Sequence, residues 1–220
     1  MPIVVFVNPG SRANRRDPGR AGRFSSILGE TGYVVSPTSS EELAAQARKV
    51  AEAHPSIIGV HGGDGTLHWT VTALLRAYGQ RPLPPLALLV GGTMNVVASS
   101  LGIQVQPETL LAQLAAGERA GLQPKVIARC CLKIVLGTPK GFPNPPATVR
   151  GEQSSPTPHA GIQEEFGFVF GTGLISNFLE EYYAKGAYGA GRAISILIRS
   201  VLSEATTGGY SQRIFRRFQG

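Results

Sequence analysis

The chain is written in short apolar runs separated by longer amphipathic stretches. Ile3 to Val7 is continuously apolar and stops at Asn8-Pro9-Gly10-Ser11, so it reads as a buried strand ending in a turn. Tyr33 to Ser36, Ile57 to Val60 and Leu86 to Val90 repeat the pattern. Helix-like stretches lie between and after them: Arg20 to Gly29, Glu41 to about Ala53, Thr66 to Tyr78, Asn95 to Leu101 and Pro107 to Ala116. Ser39 or Ser40 is placed to cap the second of these, with acidic residues in its first turn. The alternation of strand and helix specifies an α/β domain, a doubly wound parallel sheet covered on both faces. Such sheets bind ligands beyond the carboxyl ends of their strands. The turns Asn8 to Arg12, Gly62 to Thr66 and Gly91 to Asn95 fall there.

The pattern changes after about Gly121. Val126 to Leu136 reads as one long strand. Thr138 to Ala160 holds Pro139, Pro143, Pro145, Pro146, Pro156 and Pro158 and almost no large apolar side chain, so it reads as a flexible insertion without a core of its own. Glu165 to Phe170 returns as a strand, and the length of Ala193 to Leu202 favours a helix. The expected organisation is an α/β nucleotide-binding domain over residues 1–121, then a smaller β-rich domain over residues 122–220 with the insertion at 138–160. The second domain reads as truncated.

Composition narrows the partners. Hydrophobic residues make up 42% of the chain and charged residues 16%, which supports a folded core and excludes disorder. The net charge of +7 favours anionic partners such as nucleotide phosphates or acidic headgroups. Nucleic acid has no support beyond that charge and is not expected. The only cysteines, Cys130 and Cys131, are adjacent and form neither a disulfide framework nor a zinc spacing, so a reducing cytoplasm fits. No signal-peptide pattern opens the chain, and no run of about 18 apolar residues occurs.

The chemistry sits in the turns. In Gly62-Gly63-Asp64-Gly65-Thr66 the glycines let backbone N–H groups approach phosphate oxygens, and the following helix adds its positive N-terminal dipole. Asp64 suits a metal, directly or through water, or a ribose or substrate hydroxyl. Gly91-Gly92-Thr93-Met94-Asn95 repeats this placement. Thr93 offers a hydroxyl and an N–H, and Asn95 can hold the loop or cap the next helix. Asn8-Pro9-Gly10-Ser11-Arg12 can add N–H groups, a hydroxyl and a cation. His61 and His68 flank the glycine turn, but without Cys or carboxylate partners they do not make a metal site.

Val7-Asn8-Pro9-Gly10-Ser11, Gly62 to Leu67, and Gly92-Thr93-Met94-Asn95 with Leu101-Gly102-Ile103 together resemble the diacylglycerol kinase catalytic domain superfamily, which includes bacterial soluble lipid kinases and sphingosine kinases. Phe168 to Leu174 is similar to a strand and glycine turn of its second domain. The resemblance implies an NAD kinase/diacylglycerol kinase-like fold whose two domains meet around ATP, Mg²⁺ and a lipid at a membrane surface. It implies nucleotide contacts from Asn8, Pro9, Gly10, Ser11, Arg12, Thr38, Gly62, Gly63, Asp64, Gly65, Thr66, Leu67, His68, Trp69, Gly92, Thr93 and Asn95. The family's catalytic carboxylate lies in an Asp-Gly-Glu-like motif that does not occur before Gly220, so no catalytic or metal-ligating residue is assigned. Trp69 stands where the family usually carries an acidic residue, and Val96 and Ser99 replace a common Asp and Arg. The expected function is phosphoryl transfer from ATP to a diacylglycerol-like or sphingoid-like hydroxyl by a cytoplasmic, peripherally bound enzyme, with a homodimer allowed. The alternatives are an NAD kinase-like enzyme and a nucleotide-binding homologue without catalysis.

Overall fold

The structure is a computed structural model and describes residues 1–136 and 163–168. Met1–Val135 and Glu164–Val169 form one compact unit. Its core is a parallel sheet of β1 (Ile3–Val7), β2 (Gly32–Val35), β3 (Ile57–Gly62) and β4 (Leu86–Val90), in the order β2-β1-β3-β4. The helices are α1 (Arg12–Arg16), α2 (Arg20–Leu28), α3 (Ser40–Ala53), α4 (Asp64–Tyr78), α5 (Val96–Ser100) and α6 (Pro107–Arg119).

The two-residue period of a strand sorts this core into faces. Ile3, Val5 and Val7 pack with Phe24 and Leu28 of α2 and Leu111 and Ala115 of α6. Val4 and Phe6 point the other way, onto Ala47, Val50 and Ala51 of α3 and Leu74 and Tyr78 of α4. Every residue of β1 is at most 2% exposed, so an unbroken apolar run was required of it. The doubly wound parallel sheet expected from the sequence is the fold observed.

Several boundaries differ from expectation. Asp64 and Gly65 already belong to α4, whose N-cap is Gly63. The short helix α1 was unforeseen; Ser11 caps it by accepting from the Asn14 N–H at 3.4 Å. Ser39, not Ser40, caps α3 through the Glu42 N–H. The long strand expected over Val126 to Leu136 is corrected: only β5 (Leu132–Leu136) is strand, while Val126 and Ile127 are 58% and 59% exposed. Among the described residues it pairs with β6 (Gln163–Gly167), also five residues long, and a strand does not persist past the backbone that pairs with it. β6 thus begins and ends earlier than the Glu165 to Phe170 expected. The insertion at 138–160 and the helix at 193–202 lie outside the described residues.

Candidate functional site

Because β1, β3 and β4 run parallel, the turns that follow them share one edge of the sheet. Hydrogen bonds tie them together there. The Asn8 amide Nδ2 donates to Thr66 Oγ1 at 2.9 Å, and the Asn8 N–H donates to the His61 carbonyl at 3.2 Å. The Gly91 N–H donates to the Gly62 carbonyl at 2.9 Å. Thr66 folds back over Gly62, where a Cβ would stand 2.3 Å from its Oγ1. A Cβ on Gly92 would stand 2.3 Å from the Gly63 Cα. Glycine is required at both places because two backbones, or a backbone and a side chain, occupy the space any other residue needs.

The N-terminus of α4 opens at the centre of this arrangement. The first intrahelical bond runs from the Leu67 N–H to the Gly63 carbonyl at 3.0 Å, and no side chain caps this end. The amides of Asp64, Gly65 and Thr66 therefore precede the helical ladder and present donors where the helix dipole is positive. Gly65 is exposed, with open space where a Cβ would go. An anion has both room and donors at this position.

The remaining sequence-identified residues have more specific places. Asp64 accepts from the Val96 N–H at 3.0 Å and the Val97 N–H at 3.2 Å, so its carboxylate caps α5 and binds the second glycine turn to the third. Asn95 has a left-handed backbone (φ 49°) and holds its loop by accepting from the Gly92 N–H and donating to the Gly92 carbonyl, both at 2.9 Å. Thr93 is exposed on the same loop. In the first turn the Gly10 N–H donates to Asn8 Oδ1 at 2.8 Å and the Ser11 N–H to the Asn8 carbonyl at 3.1 Å. Those amides are taken up within the turn, and Pro9 has none; Ser11 is buried and Arg12 half-buried beside them. Thr38, beyond the carboxyl end of β2, gives its N–H and hydroxyl to Glu42 at 2.8 and 2.9 Å. Those two donors, the N–H foremost, hold the Glu42 carboxyl below its usual range.

Leu67 is buried in a cluster with Val60 and Val71. His68 turns toward β6: its Nδ1 lies 2.9 Å from the Phe166 carbonyl and its Nε2 lies 3.4 Å from Glu165. The expectation that His68 lacks a carboxylate partner is corrected, because Glu165 arrives from a strand nearly a hundred residues away. Trp69 is 49% exposed on the outer side of α4. Among the described residues no cluster of three or more His, Cys, Asp or Glu side chains could hold a metal ion. His61, by contrast, is fully buried behind the turns. Burial above all pushes its imidazole below the usual range, and the Arg20 charge lowers it further, against the Leu89 carbonyl and Glu108. Asn14, which no motif signalled, contacts this ring.

The model of the diacylglycerol kinase catalytic domain matches residues 2–123, more than half of the chain and all of the turns just described. The chain belongs to that family. The chain is also similar to a diacylglycerol kinase from Bacillus anthracis str. Sterne, at 18% identity and a TM-score of 0.42, over 52% of this chain and 42% of that one. Two further solved structures from the same organism give TM-scores of 0.42 and 0.41 at the same identity. No curated protein matches. The chain thus spans less than half the length of these solved relatives. Family membership makes this a kinase-type α/β domain. Among the described residues no helix is long and apolar enough to cross a membrane.

Proposed function

We propose that this protein binds ATP·Mg²⁺ at the joined glycine turns and transfers the γ-phosphoryl group to a lipid hydroxyl. One observation carries the reading: the uncapped N-terminus of α4 lies at the junction of the turns, flanked by two glycines with no room for a side chain. The amides of Asp64, Gly65 and Thr66 would hold phosphate oxygens, with Thr93, Ser11 and Arg12 at the rim and Gly62, Gly63, Gly92 and Asn95 shaping the backbone. Bound Mg²⁺ would neutralise charge on the β- and γ-phosphates, arriving on the nucleotide with its own waters. In the transfer, the bond from the γ-phosphorus to its bridging oxygen breaks as the lipid oxygen bonds to phosphorus, and the hydroxyl proton passes to a base. The residues described here supply binding and orientation. The division into domains at residue 121, the lipid acceptor at a membrane surface and a cytoplasmic, peripheral location belong to the same proposal.

Calorimetry with ATP·Mg²⁺ tests the nucleotide half, and absence of binding overturns it. Labelled ATP offered with a panel of lipids, and separately with NAD, tests the acceptor. Asp64→Asn serves as control and is expected to lose most of any activity, because one of two capping acceptors on α5 becomes a donor. A second reading, nucleotide binding without transfer, is favoured by Trp69 in the place of an acidic residue and by the two amides already bound to Asp64. Binding without turnover on any acceptor would select it.

A further inference from the structure

Behind the turns runs a chain of buried polar contacts that no motif foretells. The His61 ring, 0% exposed, has Nδ1 at 2.9 Å from the Leu89 carbonyl and Nε2 at 3.0 Å from Asn14 Oδ1. The Asn14 amide Nδ2 donates to the Asn8 carbonyl at 2.7 Å, and Asn8 Nδ2 donates to Thr66 Oγ1 at 2.9 Å. The path thus joins the end of β4, the end of β3, α1, the first turn and the first turn of α4. Its direction is set by its last acceptor. The Asn8 carbonyl can only accept, so Asn14 must present its nitrogen there and its oxygen to His61, and the relay is complete in the tautomer that carries its hydrogen on Nε2. The Leu89 carbonyl competes for the one hydrogen of a neutral ring. Phe24 stands edge-on to that ring with centroids 5.0 Å apart, and a Cβ on Gly91 would come within 2.6 Å of its Cε1. A larger residue at Gly91 would displace the imidazole, so the space is matched to this side chain.

We infer that His61 and Asn14 are positioning residues for nucleotide binding: the Nε2–Asn14–Asn8 relay holds the first turn in register with Thr66 and the N-terminus of α4. Neither residue touches the proposed ligand. Each acts through Asn8, whose side chain and carbonyl organise the Gly10 and Ser11 amides. The inference rests on the nucleotide reading for its consequence and on the hydrogen-bond geometry for its mechanism, so the two can fail separately.

Substitutions that mimic one ring nitrogen at a time separate positioning from packing. His61→Gln can keep a donor near Nε2 and so retain the Asn14 arm. His61→Asn can keep one only near Nδ1, toward Leu89. Asn14→Leu removes the relay while keeping the branching and the number of side-chain heavy atoms. The expected result for the full chain, by calorimetry with ATP·Mg²⁺, is affinity within about twofold of wild type for His61→Gln. For His61→Asn and Asn14→Leu the expected loss is about tenfold, the weight of one buried hydrogen bond. Amide exchange by NMR on the nucleotide-free protein is the second readout. Asn14→Leu should speed exchange at Gly10 and Ser11 about tenfold while Ile58 and Val60 stay protected. Equal affinity losses for Gln and Asn, or unchanged exchange at Gly10 and Ser11 in Asn14→Leu, overturn the inference. Wild-type protein that fails to bind ATP·Mg²⁺ overturns the nucleotide reading, and the exchange result then decides the relay alone.

Discussion

Gly65 and Gly92 sit in neighbouring turns and carry opposite constraints. Gly92 meets the Gly63 backbone where a methyl group would go, and neither main chain can yield cheaply. Gly92→Ala is expected to destabilise the fold by about 1–3 kcal/mol, the usual penalty for overpacking, read as a lowered midpoint in denaturant. At Gly65 nothing lies within 4 Å of the position a methyl group would take, and the residue is helical. Gly65→Ala is expected to leave stability unchanged or raise it by about 0.5–1 kcal/mol. The same methyl group would project into the space assigned to phosphate, so affinity for ATP·Mg²⁺ should fall. A variant that gains stability and loses nucleotide supports the site assignment; one that binds ATP normally argues against it.

At the scale of elements, α4 links the sheet to β6. Its Leu74 and Tyr78 pack on the sheet face of Val4 and Phe6, and its Val71 packs near Phe166 and Phe168. Thr72 donates to the Phe166 carbonyl at 3.1 Å and accepts from the Phe166 N–H at 3.0 Å, so a buried hydroxyl substitutes for a strand partner. Arg76 bonds the Glu164 carbonyl and pairs with Glu165 one turn further along. Thr72→Val keeps the shape and leaves the Phe166 N–H without its acceptor. The expected cost is about 1–3 kcal/mol, with faster amide exchange at Phe166 and little change at Ile58. None of these pairings was legible beforehand, because residues 68–76 and 164–166 carry no shared motif and meet only after folding. The strand and helix order was legible, since full burial demanded apolar runs for the parallel strands and an amphipathic stretch for each covering helix.

At the scale of the whole molecule, charge is arranged more locally than a net +7 suggests. Arg20 and Arg23 lie beside the first turn, yet both pair with Asp17 and Glu108. The Arg23 guanidinium holds the Asp17 carboxyl below its usual range. These two arginines thus brace α2 against α6 and are not free to serve phosphate. Binding to the folded state alone stabilises it by mass action. ATP·Mg²⁺ at about one hundred times its dissociation constant should therefore add about 2.7 kcal/mol to unfolding, read as an upward shift of the thermal midpoint. No shift at saturating nucleotide would count against the proposed function.

By itself the sequence determined the four strands of the parallel sheet, the longer helices that cover it, the fold class and the three turns that bear the family's residues. Each of these is a local matter of periodicity, glycine placement and helix entry. Only the tertiary structure decided how those turns are used. It gave the Asp64 oxygens to α5, sent His68 to Glu165 and set His61 against Asn14. The physical reason is that a buried polar group must find a partner, and the partners lay tens of residues away in sequence.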